Sequence, residues 1–102
     1  MWLMIDDQRN LNCELEARTS AEGKTLLQKW AGQIDCLCLD HDLGEEQETG
    51  YDIAKWALHQ EIMPARVQIV SSNPVGRRNI GLALIGAGYV TKDGINFKKG
   101  DV

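Results

Sequence analysis

The chain has 102 residues, 43% hydrophobic and 25% charged, enough for one core and one ordinary globular domain spanning 1–102. With 11 basic against 15 acidic residues the net charge is −4, which argues against a surface gripping nucleic acid along its whole backbone but leaves room for a local anion site. No apolar run approaches the ~18 residues of a membrane span and no basic-then-apolar leader is present, so a cytoplasmic location is expected.

Met1 to Ile5 is apolar and runs into Asp6-Asp7, a strand ending in acids. Gln8-Arg9-Asn10 reads as loop, and Cys13 to Ala17 alternates as a half-buried edge strand. Only about five residues separate Asp7 from that strand, too few for a crossover helix. Either Gln8 to Asn12 runs back extended over the sheet, or the second strand is antiparallel. Thr19 supplies an N-cap for a helix that packs Leu26, Leu27 and Trp30 and stops at Gly32.

Ile34 to Leu39 is the expected central strand, again running into acid at Asp40-His41-Asp42. Cys36 and Cys38 lie two apart on it, and with Cys13 they show neither CxxC nor histidine-paired metal spacing; buried free thiols are expected. The acidic loop Gly44–Gly50 leads to a helix with Ile53, Trp56 and Ala57 at helical spacing, closed by Pro64. Val67 to Val70 is a strand, and Asn73-Pro74 is a strong helix start. That helix carries Leu82, Leu84 and Ile85 and stops near Gly86 or Gly88. Tyr89 to Thr91 is a last short strand, and 93–102 is a polar tail without an assigned structure. Alternating strands and helices imply a parallel sheet covered on both faces.

Parallel strands would bring Asp6, Asp7, Asp40, His41, Asp42, Ser71, Ser72, Asn73 and Lys92 to one rim, where open α/β sheets bind ligands. Two chemistries are open for the acids. Asp6, Asp7 and Asp40 can hold Mg²⁺, or their like charges can keep one carboxyl protonated as an acid. His41 suits general acid or base work near neutral pH, or equally a hydrogen-bonded structural role. Arg77 and Arg78 fall in the first turn of their helix, where a cation opposes the macrodipole at a cost of about some tenths of a kcal/mol. An anion at that N-terminus would compensate, and Gly76 would let it approach closely; the alternative is that both arginines point into water or pair with Glu45 to Glu48.

The acid pair, Asp40, the hydroxyl Ser71 and Lys92 together resemble the response-regulator receiver domain. The fuller strings Ile5-Asp6-Asp7-Gln8-Arg9, Arg18-Thr19, Leu39-Asp40-His41-Asp42-Leu43-Gly44, Thr49-Gly50-Tyr51-Asp52 and Ser71-Ser72-Asn73-Pro74-Val75-Gly76-Arg77 are similar to a divergent branch, the cyclic-phosphate-processing receiver domains. The likeness runs from Trp2 to about Ile80. It implies a receiver-like, flavodoxin-like three-layer α/β/α sandwich with a mostly parallel five-stranded sheet, the first helix lost and the C-terminal helix shortened or absent.

It also implies a site of Asp6, Asp7, Arg9, Asp40, His41, Asp42, Ser71, Asn73 and Arg77 acting without a cofactor, Mg²⁺ being the alternative. The partner would be a nucleotide or RNA end carrying a cyclic phosphate, in a bacterial or phage conflict system. One departure stands out: the branch carries a histidine just before the Ser-x-Asn-Pro string, where this chain has Val70. The leading expectation is binding and hydrolysis, with His41 and Asp40 or Asp42 as acid and base. Sequestration of a cyclic nucleotide messenger and a phosphoacceptor role for Asp40 are the alternatives.

Overall fold

Nine elements follow one another in the computed structural model, which describes residues 1–100: β1 Trp2–Ile5, β2 Leu15–Ala17, α1 Ser20–Lys29, β3 Cys36–Leu39, α2 Gly50–His59, β4 Arg66–Ile69, α3 Pro74–Gly86, β5 Tyr89–Thr91 and β6 Asn96–Lys99. They form one sheet of order β2-β1-β3-β4-β6-β5. Each helix starts at a polar N-cap whose side chain accepts an amide N–H three residues on: Thr19 from Glu22, Thr49 from Asp52 and Asn73 from Gly76. At α2 the Asp52 carboxylate also takes the Thr49 N–H, closing a capping box.

β2 pairs with β1 in parallel, so the antiparallel alternative is set aside; the chain between them returns irregularly rather than fully extended, with bends at Gln8 and Glu14 and Asn12 at φ 54°. The crossovers through α1, α2 and α3 all step in one direction across the sheet, and the right-handed rule puts all three helices on one face. Gly23 of α1 meets Ile5 there, Gly81 of α3 meets Phe97, and α2 touches both other helices. Leu3, Ile5, Leu37, Leu39, Val67 and Ile69 point into this layer, all at most 2% exposed.

The receiver-like α/β class holds, with two corrections to its details. The sheet has six strands rather than five: Asn96–Lys99, inside the expected polar tail, inserts antiparallel between β4 and β5. Phe97 is its one buried residue, and a single apolar side chain among polar ones gives too little alternation to announce a strand. Asp101 and Val102 of that tail lie outside the described residues. The sandwich is also thinner than expected. On the face opposite the helices Met4, Cys36 and Cys38 are buried; there Cys13 of the 8–14 run reaches Cys38, and Arg66 lies 5.7 Å above the Trp2 ring. All three cysteines are free thiols, Cys36 and Cys38 buried and Cys13 half-buried.

A candidate active-site cleft at the carboxyl ends of β1 and β3

Because Ile5 pairs with Leu39 in parallel register, Asp6 and Asp40 leave the sheet side by side, one strand spacing apart. Asp6 is fully buried. Its Oδ1 accepts the backbone N–H groups of Gln8 (2.9 Å) and Arg9 (3.0 Å), and its Oδ2 accepts the Arg9 guanidinium at 3.0 Å. Burial pushes the Asp6 carboxyl up, but these donors and the positive charge outweigh it and hold the group below its ordinary value.

The same guanidinium nitrogen lies 3.7 Å from Asp40 Oδ1, and the Arg9 side chain remains 39% exposed. Asp40 has fewer partners. Its Oδ1 accepts the His41 N–H at 2.8 Å, and burial, followed by the charge of Asp6, raises its carboxyl above the ordinary value against the opposing pull of that N–H, Arg9 and Ser71. The proton affinities of two neighbouring carboxyls are thus driven in opposite directions, Asp6 down and Asp40 up.

Arg18 is a residue that sequence reasoning placed in a motif but not in the site. Its Nη1 donates to the backbone carbonyl of Asp6 at 3.0 Å and to that of Arg9, tying the returning chain so that Arg9 faces the acids. The signal for it was the Arg18-Thr19 string just before α1. Its carbonyl partners were invisible without the return of the chain.

Two helix N-termini hold the turn after β3. A Cβ on Gly50 would lie 1.9 Å from the Asp40 carbonyl oxygen, and the Gly50 N–H donates to the His41 carbonyl at 2.8 Å. A Cβ on Gly76 would lie 2.3 Å from His41 Cγ, so the imidazole lies flat on the first turn of α3 with its Nδ1 buried and without a partner among the described residues. Asn73 ties that turn to the rim, its side-chain amide donating to Asp42 at 3.2 Å.

A cleft of about 300 Å³ results, lined by Asp6, Asp7, Gln8, Arg9, Asp40, Asp42 and Ser72. Ser71 is buried beneath it and accepts the Asn73 N–H. His41 is adjacent but outside the lining. Arg77 and Arg78 line a separate depression between α3 and the β5–β6 turn, and Lys92 lies on a third surface with Arg66 and Lys98. β6 stands between β4 and β5, so Lys92 is three strand steps from β3. The N-terminus of α3 has also been largely used by its own cap: Asn73 N–H goes to Ser71, Gly76 N–H to Asn73, and Pro74 has none, leaving the Val75 amide.

Asp6, Asp7 and Asp40 can each bring one oxygen within 4.8 Å of the others. Both oxygens of Asp6 are already hydrogen-bonded, however, and a guanidinium stands between Asp6 and Asp40. A Mg²⁺ ion with its near-octahedral demands would have to displace that guanidinium, so these residues fit the arginine better than the metal.

No curated protein matches the chain. The family described as the cyclic-phosphate processing receiver domain matches residues 1–85, which take in every cleft residue and both clamping glycines, and the chain belongs to that family.

Proposed function

We propose that the cleft binds a nucleotide carrying a cyclic phosphate and opens its ring with water, without a metal ion. The observation that carries this reading is Arg9: a guanidinium held by two carboxylates, yet 39% exposed at the mouth of the cleft. Such a fork suits a phosphoryl group, with the exposed Ser72 hydroxyl beside it as a further donor. Asp40, its carboxyl raised by burial and by Asp6, is the proton donor to the leaving ribose oxygen. Asp7, half-buried in the lining of the cleft, takes the proton from the attacking water. A P–O bond to water forms as the P–O bond to the ribose breaks, giving a linear phosphomonoester.

The acids would repel a phosphate if all were ionised and unpaired; the charge of Arg9, shared between Asp6 and Asp40, lowers that repulsion. His41 is a positioning residue here, fixing the Asp40-His41 turn against Gly76. The phosphoacceptor reading is weakened because Lys92 sits beyond β6, away from the acids.

The test is incubation with 2′,3′-cyclic and 3′,5′-cyclic nucleotides, in EDTA and in Mg²⁺, with chromatography for linear product. Product formed in EDTA is expected. Unchanged substrate throughout overturns hydrolysis, and product only in Mg²⁺ overturns the metal-free mechanism. One observation favours sequestration as a second reading: no imidazole lines the cleft, since Val70 occupies the family's histidine place and His41 is turned onto Gly76. Calorimetry showing tight binding with intact ligand would select it.

A further inference from the structure

Charge is distributed very unevenly along the chain. Residues 1–61 hold thirteen acidic and five basic side chains, whereas residues 62–100 hold six basic and one acidic. Three of the five bases in the first part, Arg9, Arg18 and Lys24, are paired with carboxylates. Arg77 and Arg78 make no ion pair among the described residues, and α3 contains no acid.

The two arginines line a depression of about 380 Å³ between α3 and the β5–β6 turn. Its one carboxylate, Asp93, is occupied by the turn: it accepts the N–H groups of Ile95 (2.9 Å) and Asn96 (2.8 Å) and the Asn96 side-chain amide (2.9 Å). The depression abuts the cleft. Ser72 lines the cleft and Pro74 lines the depression, so at most about 7 Å separates their Cα atoms. Leu82 and Ile85, both more than half exposed, form its apolar floor next to the arginines. Cationic forks beside exposed apolar side chains suit a phosphate followed by a nucleoside.

We infer that the ligand carries at least two phosphates: the cyclic or reacting one at Arg9, and the neighbouring phosphodiester at Arg77 and Arg78, which makes it an oligonucleotide rather than a mononucleotide. This rests on the cleft being the cyclic-phosphate site. It assigns the arginines, which the sequence pattern placed on the reacting phosphate, to the next one along the strand. Extended nucleic acid is not required, since two phosphates suffice to occupy both arginine groups.

The experiment compares binding and turnover of a 2′,3′-cyclic mononucleotide, a dinucleotide ending in the same cyclic phosphate, and a cyclic dinucleotide, for the parent protein and Arg77→Ala/Arg78→Ala. The readout is the ratio of two-phosphate to one-phosphate affinity. A ratio of roughly ten- to a hundredfold is expected for the parent, from one added charge-assisted contact. It should fall towards one in the double variant and as salt rises, and Arg77→Lys/Arg78→Lys should keep most of it. Which two-phosphate ligand is favoured separates a strand end from a cyclic dinucleotide. A parent ratio near one, or a ratio unchanged by removing both arginines, overturns this inference and leaves the cleft reading intact. Failure of all three ligands to bind overturns the cleft reading, and this one with it.

Discussion

The carboxyl rim of the sheet has two halves that treat their charges in opposite ways. At β1 and β3 the strands are parallel neighbours, their terminal acids are buried, and one arginine bridges them. At β4, β6 and β5 an antiparallel strand intervenes and the cations remain on the surface, with no ion pair among the described residues. Burial and proximity tune a group's proton affinity, while solvent screens an exposed one. The difference teaches that motif residues sharing a rim are not equivalent. At β1 and β3 the strand register forces unlike environments on like side chains.

The largest effects should come from breaking the tuned half. Asp40→Asn, which removes the proton donor but keeps the shape, should lower cyclic-phosphate turnover by about 10²–10⁴-fold, read as kcat/KM by chromatography of product. The same variant should be more stable than the parent. Asp40 has a folded value above its ordinary 3.8, so the parent loses stability as pH rises through the window from 3.8 to that raised value, and the asparagine does not. Melting temperatures measured from acid to neutral pH should therefore diverge, with the variant higher. Asp6 works in the other direction: its lowered value gives stability present above 3.8 and lost as pH falls through the folded value. Asp6→Asn should remove that acid-side loss.

Next in size are the two glycines that hold the turn. Gly50→Ala drives a methyl into the Asp40 backbone carbonyl, which cannot move without the strand end, so a loss of about 3 kcal/mol in denaturant unfolding is expected. Gly76→Ala meets the His41 ring and its Cβ and should cost about 1–2 kcal/mol. Adding His41→Ala, which removes the ring but leaves the Cβ, should recover part of the second loss and none of the first, a double-mutant cycle that separates backbone from side-chain crowding. Smallest of all, Lys92→Ala should change stability by less than about 0.5 kcal/mol and turnover by less than about twofold, because it stands in the untuned half. A large loss there would erase the distinction between the halves.

Much of this was legible residue by residue. Apolar runs ending at Asp6 and Asp40 announced strands meeting at a rim, Thr19 and Asn73 announced helix starts, and the motif strings announced the family. What stayed hidden depended on partners distant in the chain. Lys99 of β6 donates its N–H to Ala65, and Arg18 finds the carbonyls of Asp6 and Arg9, contacts that no local pattern encodes. The side-chain placement of Arg77 was hidden for the same reason: its first-turn position was readable, but the depression it lines exists only because β6 brings the 91–95 turn against α3.

By itself, then, the sequence determined the order and kind of the helices and main strands and the supply of acids and cations at their ends, because periodicity, caps and turn residues act over a few positions. The tertiary structure alone decided which of those charges meet. Parallel register put Asp6 against Asp40, a returning loop delivered Arg9, and the inserted strand β6 carried Lys92 away. The physical reason is that proton affinity and pairing depend on burial and on distances of a few ångströms between segments far apart in the chain.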